Sequence, residues 1–458
     1  MRVKIKSHVI KPLLDKEYPT VSHGRGVYLY DTEGKAYIDG CSGAITANIG
    51  HGVQSVIDAM KEQAQKVSFT YRSQFTSDAA EELATKLASW APGDLDYVFF
   101  VNSGSEATET AMKIAIQYWQ EQGRTGKNKI LSRWMSYHGI TLGALSMSGH
   151  ILRRKRFIPL LEEFPSVEPP YCYRCPFGST YPSCDLLCAN QLEQAIHRIG
   201  ADNIAAFIAE PIIGASAGAV TPPPYYYQRI KEICERYEIL FIADEVMTGN
   251  GRTGKPFGID HWGVVPDLMA LGKGMSAGYT PMAATIASKR IIDVIAAGSK
   301  SIMSGHTFSA NPQSAAVSLA VMKYIEDHRL IGKVEERGQQ LIAGLQALMQ
   351  KYEIIGDVRG KGLLCGMEFV KDRTTKEPFP FHLRVTERLI EKAMNNGLLI
   401  YSASGGIDGQ AGDAILVAPP FVITEEEINE LLFILDRSLG ELALELEQEG
   451  QLASKESV

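Results

Sequence analysis

Between Leu95 and Ser288, short and almost wholly apolar runs alternate with amphipathic helical stretches. The runs are YVFFVNS, AAFIAEP, ILFIADEV, LMALGKG and AATIAS, and segments such as EATETAMKIAIQYWQ and PYYYQRIKEICERY lie between them. A run with no polar alternation suits a strand covered on both faces, and strands separated by helices suit a largely parallel sheet. Ligands of such sheets sit beyond the C-terminal ends of the strands. In four of the five runs the unusual residues come at or just after the apolar part, so function is sought there.

A chain of 458 residues exceeds the roughly 250 to 300 residues at which one core stops growing, and the texture changes on both sides of the alternating region. GRGVYLYDTEGKAYIDGCSG alternates apolar and polar residues between Gly-containing turns, which predicts short antiparallel strands. From Ala310 two long helical patterns lead into GDVRGKGLLCGMEFV, LLIYSAS, ILVAPP and a final acidic helix, the pattern of a smaller α+β lobe. The expected division is an N-terminal segment, 1–60, that joins this lobe, a large domain over 61–310 and a C-terminal small domain over 311–458. The charged tail from Glu441 is expected to fray at its end.

A net charge of -7 and a pI near 5.9 give no basic footprint for nucleic acid or an anionic membrane. The N-terminal stretch has no apolar h-region, and no apolar run approaches the ~18 residues of a membrane span. A cytoplasmic protein acting on small soluble molecules is expected, with no nucleic-acid or membrane partner.

Three strand ends carry chemistry. In FFVNSGSEATETAMKIA, Asn102, Ser103, Gly104 and Ser105 stand between a strand and a helix. The free N–H groups of that helix can cradle a phosphate, although Ser followed three residues later by Glu is also a plain cap. Asp244 and Glu245 end another strand, where a buried carboxylate must meet a metal, a structural partner or a protonated heteroaromatic nitrogen. Lys273 ends the next run, between Gly272 and Gly274. A lysine there is ordinarily a solvated cation, but in a dry pocket it loses its proton and attacks carbonyls. Phosphate cradle, ring-nitrogen carboxylate and carbonyl-trapping lysine together fit pyridoxal 5'-phosphate (PLP).

The strings NSGSEATETAMKIA, YHGITLGALSMSG, AEPIIG, ADEVMTGNGRTG, PDLMALGKGMSAGYTPMAA and GHTFSANPQSAAV stand in one order along the chain. In order and spacing the chain resembles the class III PLP-dependent aminotransferases, of the ω-amino acid or amine:pyruvate type. The resemblance implies an α/β protein of PLP-dependent transferase fold type I, aspartate-aminotransferase-like, with a mostly parallel seven-stranded sheet in its large domain plus a smaller α+β domain. It further implies a homodimer, or a dimer of dimers, with the active site at the subunit boundary. Lys273 then matches the Schiff-base lysine and proton shuttle, its glycines leaving the amine free to swing, and Asp244 matches the partner of the pyridine nitrogen. Val246 and Tyr137 correspond to the side chains on the two ring faces, with His138 beside Tyr137. Ser103, Gly104 and Ser105 resemble the phosphate-binding turn, Thr307 the residue reaching the phosphate from the partner subunit, and Glu210 the acid near the substrate side of the ring. No metal is expected at the site.

Two departures stand out. This chain has EPIIGA where members handling ornithine-like or γ-amino acids usually read EPIQGE. Many members also carry an arginine before the late PP motif to grip a substrate carboxylate, and here GIDGQAGDAILVAPP leaves Gly409 or Leu416 near that place. Arg174 is a candidate substitute. It lies in a Cys-rich insert whose Cys172, Cys175, Cys184 and Cys188 loosely match a four-thiolate zinc spacing and otherwise read as reduced surface thiols. Cys41, Cys234 and Cys365 read as core residues. The expected activity is amino-group transfer from an ω-amino acid or amine to a keto acid such as pyruvate, in ping-pong fashion through the pyridoxamine form. A racemase or epimerase, aminomutase or decarboxylase of the same fold would keep the same residues, and a binding protein would need neither Lys273 nor Asp244.

Overall fold

The opening strands β1 (Val21–Arg25), β2 (Tyr28–Asp31) and β3 (Ala36–Asp39) form an antiparallel meander in the computed structural model, which describes residues 7–407, 409 and 411–452. The end of the charged tail, where fraying is expected, lies outside the described residues.

The large sheet contains β4 (Leu95–Val101), β5 (Lys129–Arg133), β6 (Ser166–Val167), β7 (Ile204–Ala209), β8 (Leu240–Asp244), β9 (Leu268–Leu271) and β10 (Ala283–Ser288), in the spatial order β4-β10-β9-β8-β7-β5-β6. Every pairing is parallel except the two made by β10. All residues of β7, β8, β9 and β10 are buried, which is why they read as nearly unbroken apolar runs.

Strand direction decides where function can sit. The C-terminal ends of β4, β5, β7, β8 and β9 lie along one edge of the sheet. β10 begins at that edge, because Ala283 pairs with Val101 and Ala284 with Leu271. Its own end lies at the far edge, which explains why AATIAS alone among the five runs carries no unusual residue. The helix Gly104–Glu121 buries Ala107, Ala111, Ile114, Ala115 and Tyr118 against the sheet, a stripe at three- and four-residue spacing.

The later strands are β11 (Ile355–Lys361), β12 (Leu364–Phe369), β13 (Leu398–Leu399), β14 (Tyr401–Ser402) and β15 (Asp413–Val417). They form an antiparallel sheet in the order β11-β12-β15-β14, while β13 joins the first sheet parallel to β3. The helices Leu330–Lys351 and Glu425–Gln448 contribute Leu341, Leu345, Leu431 and Leu435 to one apolar cluster, and Val27, Ile38, Ile49 and Val56 belong to that same cluster. No described helix is long and apolar enough to cross a membrane.

Cys41, Cys234 and Cys365 are buried, and all seven cysteines are free. In the insert, Cys172 is exposed, Cys175 and Cys184 are partly buried and Cys188 is buried. The four insert cysteines lie near enough to act on one another's thiols, but among the described residues no group of three or more His, Cys, Asp or Glu side chains is arranged to hold a metal ion.

Candidate active site

Asp244 and Glu245 are adjacent at the end of β8, and strand alternation sends them to different tasks. The Asp244 carboxylate is 3% exposed, its Oδ2 lies 2.6 Å from His138 Nδ1, and its Oδ1 accepts the Val246 N–H at 3.1 Å. Glu245 accepts the N–H of Ile259 at 2.7 Å, the N–H of Gly258 at 2.8 Å and the Thr248 hydroxyl. Burial pushes its carboxyl up to about 7 against those donors. Glu245 is a clasp for the turn Gly258–Trp262, and Asp244 is the carboxylate that faces the site.

Lys273 follows β9, on the strand next to β8, with Asp244 level with Ala270. The lysine is partly buried and its backbone adopts φ +45, a left-handed conformation that non-glycine residues rarely hold. Burial is the main cause that drives its ammonium down to about 8; Asp244 and Glu210 oppose the shift, while Arg153 and Arg252 add to it. A Lys273 amine in this state is neutral in part near physiological pH and can act as a nucleophile. Gly274 has a packing cause: a Cβ there would overlap Asn48 Nδ2, whereas one at Gly272 would make an ordinary contact, 3.4 Å from Val246 Cγ1. Asn48 is in turn fixed by Arg252 Nη2 at 2.6 Å.

Glu210, just past β7, accepts the Tyr137 N–H at 2.9 Å and the Gly214 N–H at 3.0 Å. Burial raises its carboxyl, and Asp244 adds to the rise. The carboxylate thereby ties the loop after β5 to the end of β7. Within that loop His138 donates its backbone N–H to Ser148 Oγ at 2.8 Å, and its buried Nε2 has no hydrogen-bond partner. The Tyr137 ring is only partly buried. It meets the edge of the His150 ring at 6.2 Å between centroids, and the Arg153 guanidinium lies 4.2 Å from its centre.

Ser103 caps the helix Gly104–Glu121 by accepting the Glu106 N–H at 3.3 Å, so its hydroxyl performs the plain capping role. Ser105 Oγ accepts the Ile140 N–H at 3.0 Å and draws the Tyr137 loop to the same helix end. A Cβ at Gly104 would come within 2.8 Å of Val246 Cγ1, so only glycine lets the helix start lie against Val246. Thr307 is exposed, in a segment whose His306 lies 3.8 Å from Glu106, and no contact joins it to Lys273 or Asp244 within this chain.

The arrangement fits a phosphate-bearing pyridine cofactor. The first-turn N–H groups of Gly104 and Ser105 have no intrahelical acceptor and carry the positive end of the helix dipole. Asp244 is a buried carboxylate held in place by His138, Lys273 is an amine with a weakened hold on its proton, and Val246 is apolar surface between them.

Neither position near the expected late arginine offers a cation or room for one. Leu416 is fully buried in β15. Gly409 has φ +79, and a Cβ there would run into the Ile151 side chain. Arg174 is already engaged: its Nε lies 2.5 Å from Glu368 Oε1, and its Nη1 donates to the Lys376 carbonyl at 2.7 Å. The sequence reading missed Arg252, fully buried behind Lys273 and driven down to about 9 by that burial. Its signal was an arginine in the Gly-rich GNGRTG directly after the Asp244 strand.

The family model for aminotransferase class-III matches residues 14–439 of this chain. The chain is 51% identical to an uncharacterized aminotransferase of Bacillus subtilis, over 97% of this chain and 100% of that one. It is 36% identical to a taurine–pyruvate aminotransferase of Bilophila wadsworthia, with 91% of each chain covered. Among solved structures, an omega transaminase from Pseudomonas jessenii in complex with PMP superposes with a TM-score of 0.91 at 32% identity, over 98% of both chains.

The depressed ammonium of Lys273 is directly testable on cofactor-free protein. The neutral amine is the reactive form and grows as pH rises, so acylation of Lys273 by acetic anhydride should reach half its maximal rate near pH 8. A midpoint near 10.5, the ordinary lysine value, would contradict the burial described here.

Proposed function

Because this chain belongs to the class III aminotransferases, whose cofactor is PLP, we propose that it moves an amino group from an ω-amino acid or plain amine to a small keto acid such as pyruvate, in two half-reactions. When bound, PLP supplies a carbonyl that condenses with primary amines and a protonated ring that accepts the electron pair released at the neighbouring carbon. The observation that carries the donor choice is the loss of the late arginine, with the Ile151 side chain filling the space at Gly409. The similarity to the taurine–pyruvate aminotransferase of Bilophila wadsworthia supports the acceptor.

In this reading Lys273 Nζ attaches the cofactor and, once released from it, moves the proton between the substrate carbon and the cofactor. Its lowered ammonium suits both tasks. Asp244 keeps the ring nitrogen protonated, and its 2.6 Å contact with His138 fixes the carboxylate that does so. Val246 and Tyr137 cover the two ring faces. Gly104 and Ser105 donate N–H groups to the phosphate, with Ser103 holding the helix end in place. Glu210 stands at the substrate side of the ring, where it fixes the Tyr137 loop through a 2.9 Å hydrogen bond.

A second copy of the chain completes the site in the same reading, with its Thr307 reaching the phosphate. An apolar surface beside Thr307 supports this: Phe69, Tyr71, Phe75, Met303 and Phe308 are all exposed, and the Phe69 and Phe308 rings meet at 5.8 Å. Arg72 Nη2 donates to the Ser304 carbonyl at 2.5 Å and joins the two segments into one surface. Contiguous exposed apolar area of this kind marks an association face.

A donor panel with pyruvate and 2-oxoglutarate tests the proposal. Amines and ω-amino acids should outperform common α-amino acids, with pyruvate the better acceptor and a new amino acid formed in step with keto product. The reverse order would overturn the substrate assignment, and loss of substrate without keto product would point to a racemase, aminomutase or decarboxylase. Asp244→Asn should retain bound cofactor and lose about a hundredfold or more in the chemical step. Near-normal turnover would mean that another carboxylate holds the ring nitrogen.

A further inference from the structure

A keto-acid acceptor brings a carboxylate into the site, where Gly409 and Leu416 offer no cation and Arg174 is already held by Glu368 and the Lys376 carbonyl. The short helix Ile151–Arg154 is the element that takes up the missing space, since Ile151 lies where a side chain at Gly409 would project. The same helix carries two arginines with opposite fates. Arg154 donates to the carbonyls of Leu145 at 3.4 Å, Ser146 at 3.1 Å and Ser148 at 2.5 Å, and is a structural tie. Arg153 makes no hydrogen bond or ion pair with any described residue.

We infer that Arg153 receives the acid group of the substrate, the carboxylate of the keto acid in one half-reaction and the distal acid of an ω-amino acid in the other. Its guanidinium is partly buried and stacked 4.2 Å from the centre of the Tyr137 ring. Stacking orients the guanidinium plane while leaving its edge N–H groups free, the geometry that takes a carboxylate in two parallel hydrogen bonds. Tyr137 places this cation beside the site, because its own backbone is tied to Glu210 and the next residue, His138, to Asp244. The charge of Arg153 is felt where the chemistry happens: it is among the causes that lower Lys273, and after burial it is the cause that lowers His150 to about 4. His150 is therefore neutral and does not compete for the acid. An arginine on an early helix thus replaces one on a late strand.

The inference rests on the transaminase reading above, and the test keeps the two apart. The cofactor-loaded protein, Arg153→Ala and Arg153→Lys are compared in two measurements. One is the dissociation constant of propionate, a carboxylate that cannot react, by calorimetry. The other is kcat/KM for pyruvate relative to butanal, an acceptor without an acid group, at one fixed amine donor. A charge-assisted hydrogen bond of about 1.5 to 3 kcal/mol corresponds to roughly ten- to hundredfold. Arg153→Ala should weaken propionate by that factor and lower the pyruvate-to-butanal ratio equally, and Arg153→Lys should restore part of both. Unchanged propionate binding, or equal losses for pyruvate and butanal, would overturn the inference, since a merely structural arginine affects both acceptors alike. Should Arg153→Ala fail to fold, Arg153→Gln carries the same two measurements. If the unaltered protein uses neither acceptor, the transaminase reading fails, and the propionate constants still decide the role of Arg153.

Discussion

Asp244 and Lys273 end adjacent parallel strands, and holding a carboxylate and an amine there out of water is the constraint around which the large sheet is organised. Desolvating an ionised group costs several kcal/mol unless a partner meets it. Asp244 has its partners, His138 at 2.6 Å and the Val246 N–H at 3.1 Å. Lys273 is left with the more distant fields of Asp244 and Glu210, and its ammonium is correspondingly weakened. One charge is secured and the other left poised, as a ring cofactor needing a fixed carboxylate and a reactive amine requires.

The surrounding structure maintains that inequality. Glu210 is occupied by two backbone N–H groups and Glu245 by two more and a hydroxyl, so neither is placed to pair with the lysine. Arg252 and Asn48 wall off the lysine loop from behind, and Gly274 lets that wall approach. The left-handed backbone at Lys273 thus has close packing on its Gly274 side.

Much of this was legible in the sequence because buried parallel strands must be apolar and must end in the residues that act. The largely parallel sheet and the Asp244 and Lys273 strand ends followed from that rule, the antiparallel opening strands from apolar/polar alternation, and the count of seven strands from the family resemblance. What stayed hidden depends on direction and distance, which a string does not carry. AATIAS looked like its neighbours although it runs the opposite way. By strand position alone Asp244 and Glu245 looked equivalent, and only the family resemblance set Asp244 apart before their contacts did. Gly274 beside Lys273 also answers to a close contact with Asn48 that the string does not show. Arg153 gave no motif at all, since its meaning comes from Tyr137 beneath it and Gly409 across from its helix.

We propose that Lys273, and no other lysine, carries the cofactor at this strand edge. Borohydride reduction of the PLP-loaded protein, followed by digestion and mass spectrometry, tests it most directly. The cofactor mass should appear on the peptide that contains Lys273 and on no other. Stoichiometric label on a different lysine, with the Lys273 peptide unmodified, would contradict the account.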